Sequence, residues 1–203
     1  MGSINSTEAL EALYGPASEG SLLKEVDHIH PTYAAFVAAS PFCVLSTVGP
    51  EGMDGSPRGD GPGFAVVEGT HTILMPDRRG NNRVDSLRNI VRDPRVAVLF
   101  LIPGVNETLR VNGTAEIRTD AALLERFVEQ GKPPKSVLVI TAQRVYFQCG
   151  KALIRSKLWD PARHVPRESL PSAGTILAEV TKGRMGGPDY DAIYPQRLKE
   201  TLY

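Results

Sequence analysis

The stretch Asp77-Arg78-Arg79-Gly80-Asn81-Asn82-Arg83-Val84-Asp85-Ser86-Leu87-Arg88-Asn89-Ile90 gathers cations, amide side chains and a glycine around the start of an expected helix. A strand, Thr72 to Pro76, runs into it, so the chain leaves a sheet, turns through Gly80 and enters the helix with its donors clustered. The first N–H groups of a helix lack intrahelical acceptors and its dipole is positive there, which suits a phosphate. The same residues also fit an ordinary capped helix, with Asn82 as N-cap, Asp85 three residues on and the arginines solvated.

No other reactive group forms a comparable cluster. His28, His30, His71 and His164 carry no HExxH or CxxC context, so surface or capping roles are expected and no metal is assigned. Cys43 falls in an apolar run and reads as a small buried hydrophobe. Cys149 precedes a helix, where a thiol pKa can drop, but a structural role is expected there too. Arg58-Gly59-Asp60, flanked by Pro57 and Pro62, reads as a tight turn. Arg58 then either forms a surface ion pair with Asp54 or Asp60, or meets a ligand.

The elements that must position these residues are mostly strands. Runs at Phe42 to Val48, Gly63 to Glu68, His71 to Pro76, Arg95 to Ile102, Thr108 to Arg118 and Ser136 to Phe147 are separated by Gly- and Pro-rich turns. Six such strands with few helices between them predict a mainly antiparallel barrel with peripheral helices. The absence of βαβ alternation and of GxGxxG disfavours a doubly wound nucleotide fold. Helices are expected at Glu8 to Tyr14, Pro31 to Ala39, Arg83 to Val91, Ala121 to Glu129 with Asp120 as cap, and Asp189 to Leu202. On Glu107 to Val111, strand alternation sets Glu107 and Leu109 on one face and Thr108 and Arg110 on the other, and the second pair is expected to face a ligand.

At 203 residues the chain is expected to be one domain: a helical extension over 1–40, a barrel over 41–148 and a helical segment over 149–203. Basic and acidic residues balance at 23 each, so no overall field draws the protein to nucleic acid or to an anionic membrane. The longest apolar runs fall far short of the roughly 20 residues that span a bilayer. With two cysteines and no signal-peptide pattern at the N-terminus, a cytoplasmic location is the expectation.

The order of four blocks resembles a known family. They are Ser56 to Phe64, Pro76 to Ile90, Phe100 to Gly113 and Lys151 to Trp159. Together they are similar to the pyridoxamine 5'-phosphate oxidase-like, FMN-binding split barrels, in the bacterial branch of flavin-nucleotide-binding proteins. The resemblance runs from about Pro31 to Trp159. It implies a six-stranded antiparallel split β-barrel and a homodimer with FMN across the subunit interface.

By position, the resemblance places Arg58 on the strand that meets the cofactor and Asn82 and Arg83 at the phosphate, with Ser86 in the same set. Met75 and Pro76 fall where strand-end backbone groups run along the isoalloxazine. Thr108 falls at a polar position near the ring, with Arg110 beside it, and Lys157 and Trp159 would reach over from the second subunit. The implied activity is that of an FMN-dependent oxidoreductase passing hydride through flavin N5, on a small molecule or with NAD(P)H. No side chain stands out as an acid or base, so no catalytic residue is assigned. The Arg-x-His element that closes the oxidases proper is replaced by Arg163-His164, which disfavours vitamin B6 oxidation. A non-catalytic flavin protein, or a split barrel that has taken up a deazaflavin or haem, is the alternative.

Overall fold

The computed structural model describes residues 2–203. Three helices lead in: α1 (Thr7–Tyr14), α2 (Glu19–Leu23) and α3 (Pro31–Ala39). Pro31 opens α3, and the His30 side chain accepts from the Thr32 N–H as its cap. The sheet strands are β1 (Phe42–Gly49), β2 (Gly52–Gly59), β3 (Val66–Glu68), β4 (Thr72–Asp77), β5 (Arg95–Leu101), β6 (Thr108–Arg118) and β7 (Ser136–Gln148). Between β4 and β5 lies α4 (Asp85–Arg92), and between β6 and β7 lies α5 (Ala121–Glu125). After the sheet come α6 (Lys151–Ser156), α7 (Ala173–Val180) and α8 (Pro188–Glu200).

All pairings are antiparallel, in the order β2-β1-β5-β6-β7-β4-β3. The count is seven strands, not the expected six. The additional strand is β2, Gly-Met-Asp-Gly-Ser-Pro-Arg-Gly, whose glycines and proline read as turn because both are depleted in strands. It survives as a strand because it is an edge, where Pro57 has no ladder bond to lose, and because all eight of its residues pair with β1.

The sheet is rolled, and its two ends are joined by side chains and not by a ladder. Five strand spacings separate β2 from β4, about 24 Å if the sheet were flat. Yet the Arg58 guanidinium of β2 forms an ion pair with the Asp77 carboxylate of β4. Only a curled sheet brings them together, so the architecture is a β+α split barrel whose seam is bridged by charge. Inward residues fill the interior: Cys43 and Leu45, Ile73 and Met75, Val98 and Phe100, Leu109 and Val111, Leu138 and Ile140, with Val37 of α3 plugging from outside. A register shift follows Asn112 on β6, and at Gly113 a Cβ would collide with the Thr141 carbonyl. Only glycine lets β7 bulge there.

Helix α4 fixes the entry to the seam. It buries Ser86, Asn89 and Ile90. The Asn89 amide donates to the Thr47 hydroxyl at 3.0 Å, and Gly49 leaves the space that the Asn89 side chain occupies. The expected start at Arg83 with Asn82 as cap is not what forms. The helix begins at Asp85 after Val84, which sits in the left-handed region at φ 53 and gives no side-chain cap. The helix after β6 likewise ends at Glu125, and the Asp120 carboxylate is taken by Arg118 instead of capping it. Among the described residues no helix is long and apolar enough to cross a membrane.

Candidate functional site

Along β2 the half-buried positions alternate as Asp54, Ser56 and Arg58, so these three share one face. That face, the end of β4, the 78–84 loop, the first turn of α4 and the Lys135-Ser136 corner enclose a cavity of about 560 Å³. This falls within the roughly 300–1,000 Å³ of small-ligand sites.

The cavity is built around anion-binding groups. The N–H groups of Asp85, Ser86 and Leu87 have no intrahelical acceptor, Val84 offers them no side-chain cap, and all three residues line the wall. Arg83 lies between Asn82 at φ 59 and Val84 at φ 53, both left-handed. For a β-branched residue such as Val84 this conformation is an outlier, and strain of this kind concentrates at ligand clamps. The Asn81 side chain accepts from the Arg83 N–H at 3.0 Å and holds the turn.

Charge on the walls is unequal: five cations, Arg58, Arg78, Arg79, Arg83 and Lys135, face three carboxylates, Asp54, Asp77 and Asp85. The excess favours an anionic ligand. The cations differ in freedom. Arg58 is clamped by Asp77, with both side chains less than a fifth exposed, and its buried Nε has no acceptor. Arg78 is equally fixed, by Asp60 at 2.7 Å and by the Phe127 carbonyl at 2.5 Å. Arg83 is 79 % exposed and pairs only with neighbouring Asp85, so it can swing. Lys135 touches the Asn82 side-chain oxygen at 3.3 Å, and Arg79 has no carboxylate partner among the described residues.

The expected partners of Arg58 were Asp54 or Asp60, and neither serves. Asp54 accepts from the Ser86 hydroxyl at 2.5 Å, and Asp60 is taken by Arg78. The rolled sheet brings Asp77 closer than residues nearer in sequence. Burial opposes ionisation of Asp60, but bonds from the Tyr203 hydroxyl, the Gly61 N–H and Arg78 outweigh it and hold its carboxyl below the usual value.

Of the ten expected cofactor residues, Arg58, Pro76, Asn82, Arg83 and Ser86 line this cavity together. The other five do not. Met75 is sealed in the core at 0 % exposure, on the same face of β4 as Ile73 and opposite to Pro76. Thr108 and Arg110 alternate with the interior residues Leu109 and Val111, so they lie on the outer face of β6, three strands or about 14 Å from β2 along the sheet. Thr108 is buried there, and Arg110 donates to the Tyr146 hydroxyl at 2.9 Å. The Trp159 indole donates to the Val105 carbonyl at 2.8 Å, and exposed Lys157 ends α6 in the left-handed region.

Sequence reasoning missed Asp54, Asp77 and Lys135 as wall residues. The Asp-x-Ser-x-Arg alternation of β2 was the available signal for the first of these. Nothing local marks Lys135, which arrives from the distant start of β7. The rings of His28, His30 and His71 approach at 6.3 Å, but no group of His, Cys, Asp or Glu able to hold a metal occurs among the described residues.

Comparison with known proteins gives the family. No curated protein matches the chain. Solved structures that resemble it include HupZ from Group A Streptococcus, at 18% identity over 60% of this chain and 94% of that one, with a TM-score of 0.48. General stress protein 26 from Bacillus anthracis str. Sterne matches at 19% identity over 56% and 88%, TM-score 0.44. An FMN-binding protein from Syntrophomonas wolfei subsp. wolfei matches at 16% identity over 55% and 80%, TM-score 0.44. At these values the neighbours carry no functional information. The sequence profile described as pyridoxamine 5'-phosphate oxidase, however, matches residues 29–149, which include α3, the whole sheet and both walls of the cavity. The chain belongs to the pyridoxamine 5'-phosphate oxidase family.

Proposed function

We propose that the chain binds FMN with its phosphate in the seam cavity and acts as an FMN-dependent oxidoreductase on a small organic molecule, with reduced nicotinamide as a candidate donor. The observation that carries this reading is the uncapped first turn of α4 facing a cavity with surplus positive charge. The donor set suits a phosphate: N–H groups at a helix start, a swinging arginine and an unpaired arginine and lysine. Arg83 would exchange Asp85 for phosphate oxygens, Ser86 and Asn82 would complete the cradle, and Arg58, held by Asp77, would stiffen the β2 wall. Bound flavin would supply hydride-transfer chemistry at N5, and the protein would supply position and exclusion of water. No side chain is assigned as acid or base.

Homodimerisation accounts for the divided set of expected residues. Thr108, Arg110, Lys157 and Trp159 lie outside the cavity of their own chain and would serve a flavin only at a subunit seam. Sedimentation of the flavin-loaded protein is expected to show a dimer, and a monomer with stoichiometric flavin would reject shared sites.

The purified protein, reconstituted with FMN and freed of excess, is expected to retain the bands of oxidised flavin, bleach with NADH or NADPH and recover in air. Retained flavin that no reductant bleaches would leave a binding protein in place of an enzyme. A Soret band on purification in place of flavin bands would reject FMN.

A further inference from the structure

A second cavity of about 310 Å³ adjoins the first, and the two share Arg78, Arg79, Asn82 and Lys135 as a common wall. Beyond that wall it adds Lys132 and Tyr203. Its lining has four cations and no Asp or Glu, whereas the first cavity has five cations and three side-chain carboxylates. Arg79, Lys132 and Lys135 pair with no Asp or Glu among the described residues, unlike Arg58, Arg78 and Arg83. The charge left over in this region therefore collects one step past the expected phosphate.

The rim is filled by Tyr203, the last residue of the sequence. The Lys132 Nζ donates to the Tyr203 main-chain oxygen at 3.0 Å. The Tyr203 ring lies 5.7 Å from the Arg78 guanidinium, and its hydroxyl donates to Asp60 at 2.8 Å.

From this geometry we propose that the second cavity is an anion subsite for a further charged group on the same ligand, so that the protein prefers a pyrophosphate-bearing flavin to a mononucleotide. One ligand is implied because the shared wall puts any phosphate on Asn82 and Arg79 within reach of both spaces. Arg79, Lys132 and Lys135 hold the second phosphate, and Tyr203 moves aside with its ring as the outer wall. The proposal rests on flavin binding for its biological ligand but not for its chemistry.

The test is calorimetric titration of the whole protein with two pairs of probes, FMN against FAD and inorganic phosphate against inorganic pyrophosphate. The expected result is at least a tenfold preference for the diphosphate member of each pair. Lys132→Ala should reduce that preference below threefold while leaving FMN affinity within twofold, because Lys132 lines only the second cavity. Lys132→Gln, which keeps the stem packing, should behave the same way. Equal affinities within both pairs, or a preference that both variants retain, would overturn the subsite. If neither flavin binds but the pyrophosphate preference persists and falls in the variants, the subsite stands and the flavin assignment fails.

Discussion

Replacing Arg83 with alanine isolates the phosphate contact from the fold. The side chain is 79 % exposed and its only partner is Asp85, itself 38 % exposed. Its surface pair contributes about 0.5 kcal/mol, the middle of the range for exposed ion pairs, so removing it should change stability by about that much. A charge-assisted contact to phosphate is worth about 1.5 to 3 kcal/mol, and the Asp85 pair must be given up to form it, which leaves about 1 to 2.5 kcal/mol. That corresponds to a rise in FMN Kd of about five- to seventyfold. The assay is quenching of flavin fluorescence, run in parallel with riboflavin, which lacks the phosphate. Wild type and Arg83→Ala should bind riboflavin alike and differ only for FMN. An equal loss for both ligands, or no loss for FMN, would refute the phosphate role.

Other outcomes follow from the same contacts. Arg58→Ala should destabilise the protein by about 2 kcal/mol in urea unfolding, between the surface and buried limits for ion pairs, because it strands the 15 % exposed Asp77 carboxylate. Asp77→Ala in the same chain should recover part of that loss, and a double variant worse than the sum would contradict the pairing. Burial pushes the Cys43 thiol up to about 12, whereas Cys149 is exposed. One thiol should therefore react with a disulfide reagent at pH 8 in the native protein and two after denaturation; two in the native protein would contradict the core placement. Asp60 is depressed below its ordinary 3.8, so its bond to Tyr203 holds above that value and is lost as pH falls through the lowered one. The Tyr203 hydroxyl is raised above 10.0 by its bond to Asp60 and by burial, so the bond is also lost as pH climbs through the raised value. The Tyr203 ring resonances should accordingly stay fixed between these limits and move beyond each; a midpoint near neutrality would contradict the contact.

Sequence reading reached those parts of the molecule that local chemistry decides. Val96, Val98 and Phe100 alternate with residues facing outward, and the pattern gives β5 directly. Pro31 marks the start of α3 for the same reason, since its ring fits the first turn. The gathering of donors around Arg83 at one turn was legible from residue types alone, and those residues line one cavity wall. Register and closure were not legible. Strand β2 exists because β1 pairs with it along its whole length, which overrides the poor propensity of its glycines. The Arg58–Asp77 pair depends on the roll of the sheet, and Lys135 enters the site through the β4–β7 pairing. Helix α4 starts two residues late because Val84 takes a left-handed turn that no propensity favours, and with Val84 as its N-cap residue the first N–H groups have no side-chain cap.

The proposed seat of the flavin phosphate is the seam between β2 and the start of α4. A crystal structure of the protein grown with FMN tests it most directly. Phosphate density is expected within hydrogen-bonding distance of the Ser86 and Leu87 N–H groups and of Arg83 turned away from Asp85. Flavin bound elsewhere on the protein, with Arg83 still paired to Asp85, would contradict it.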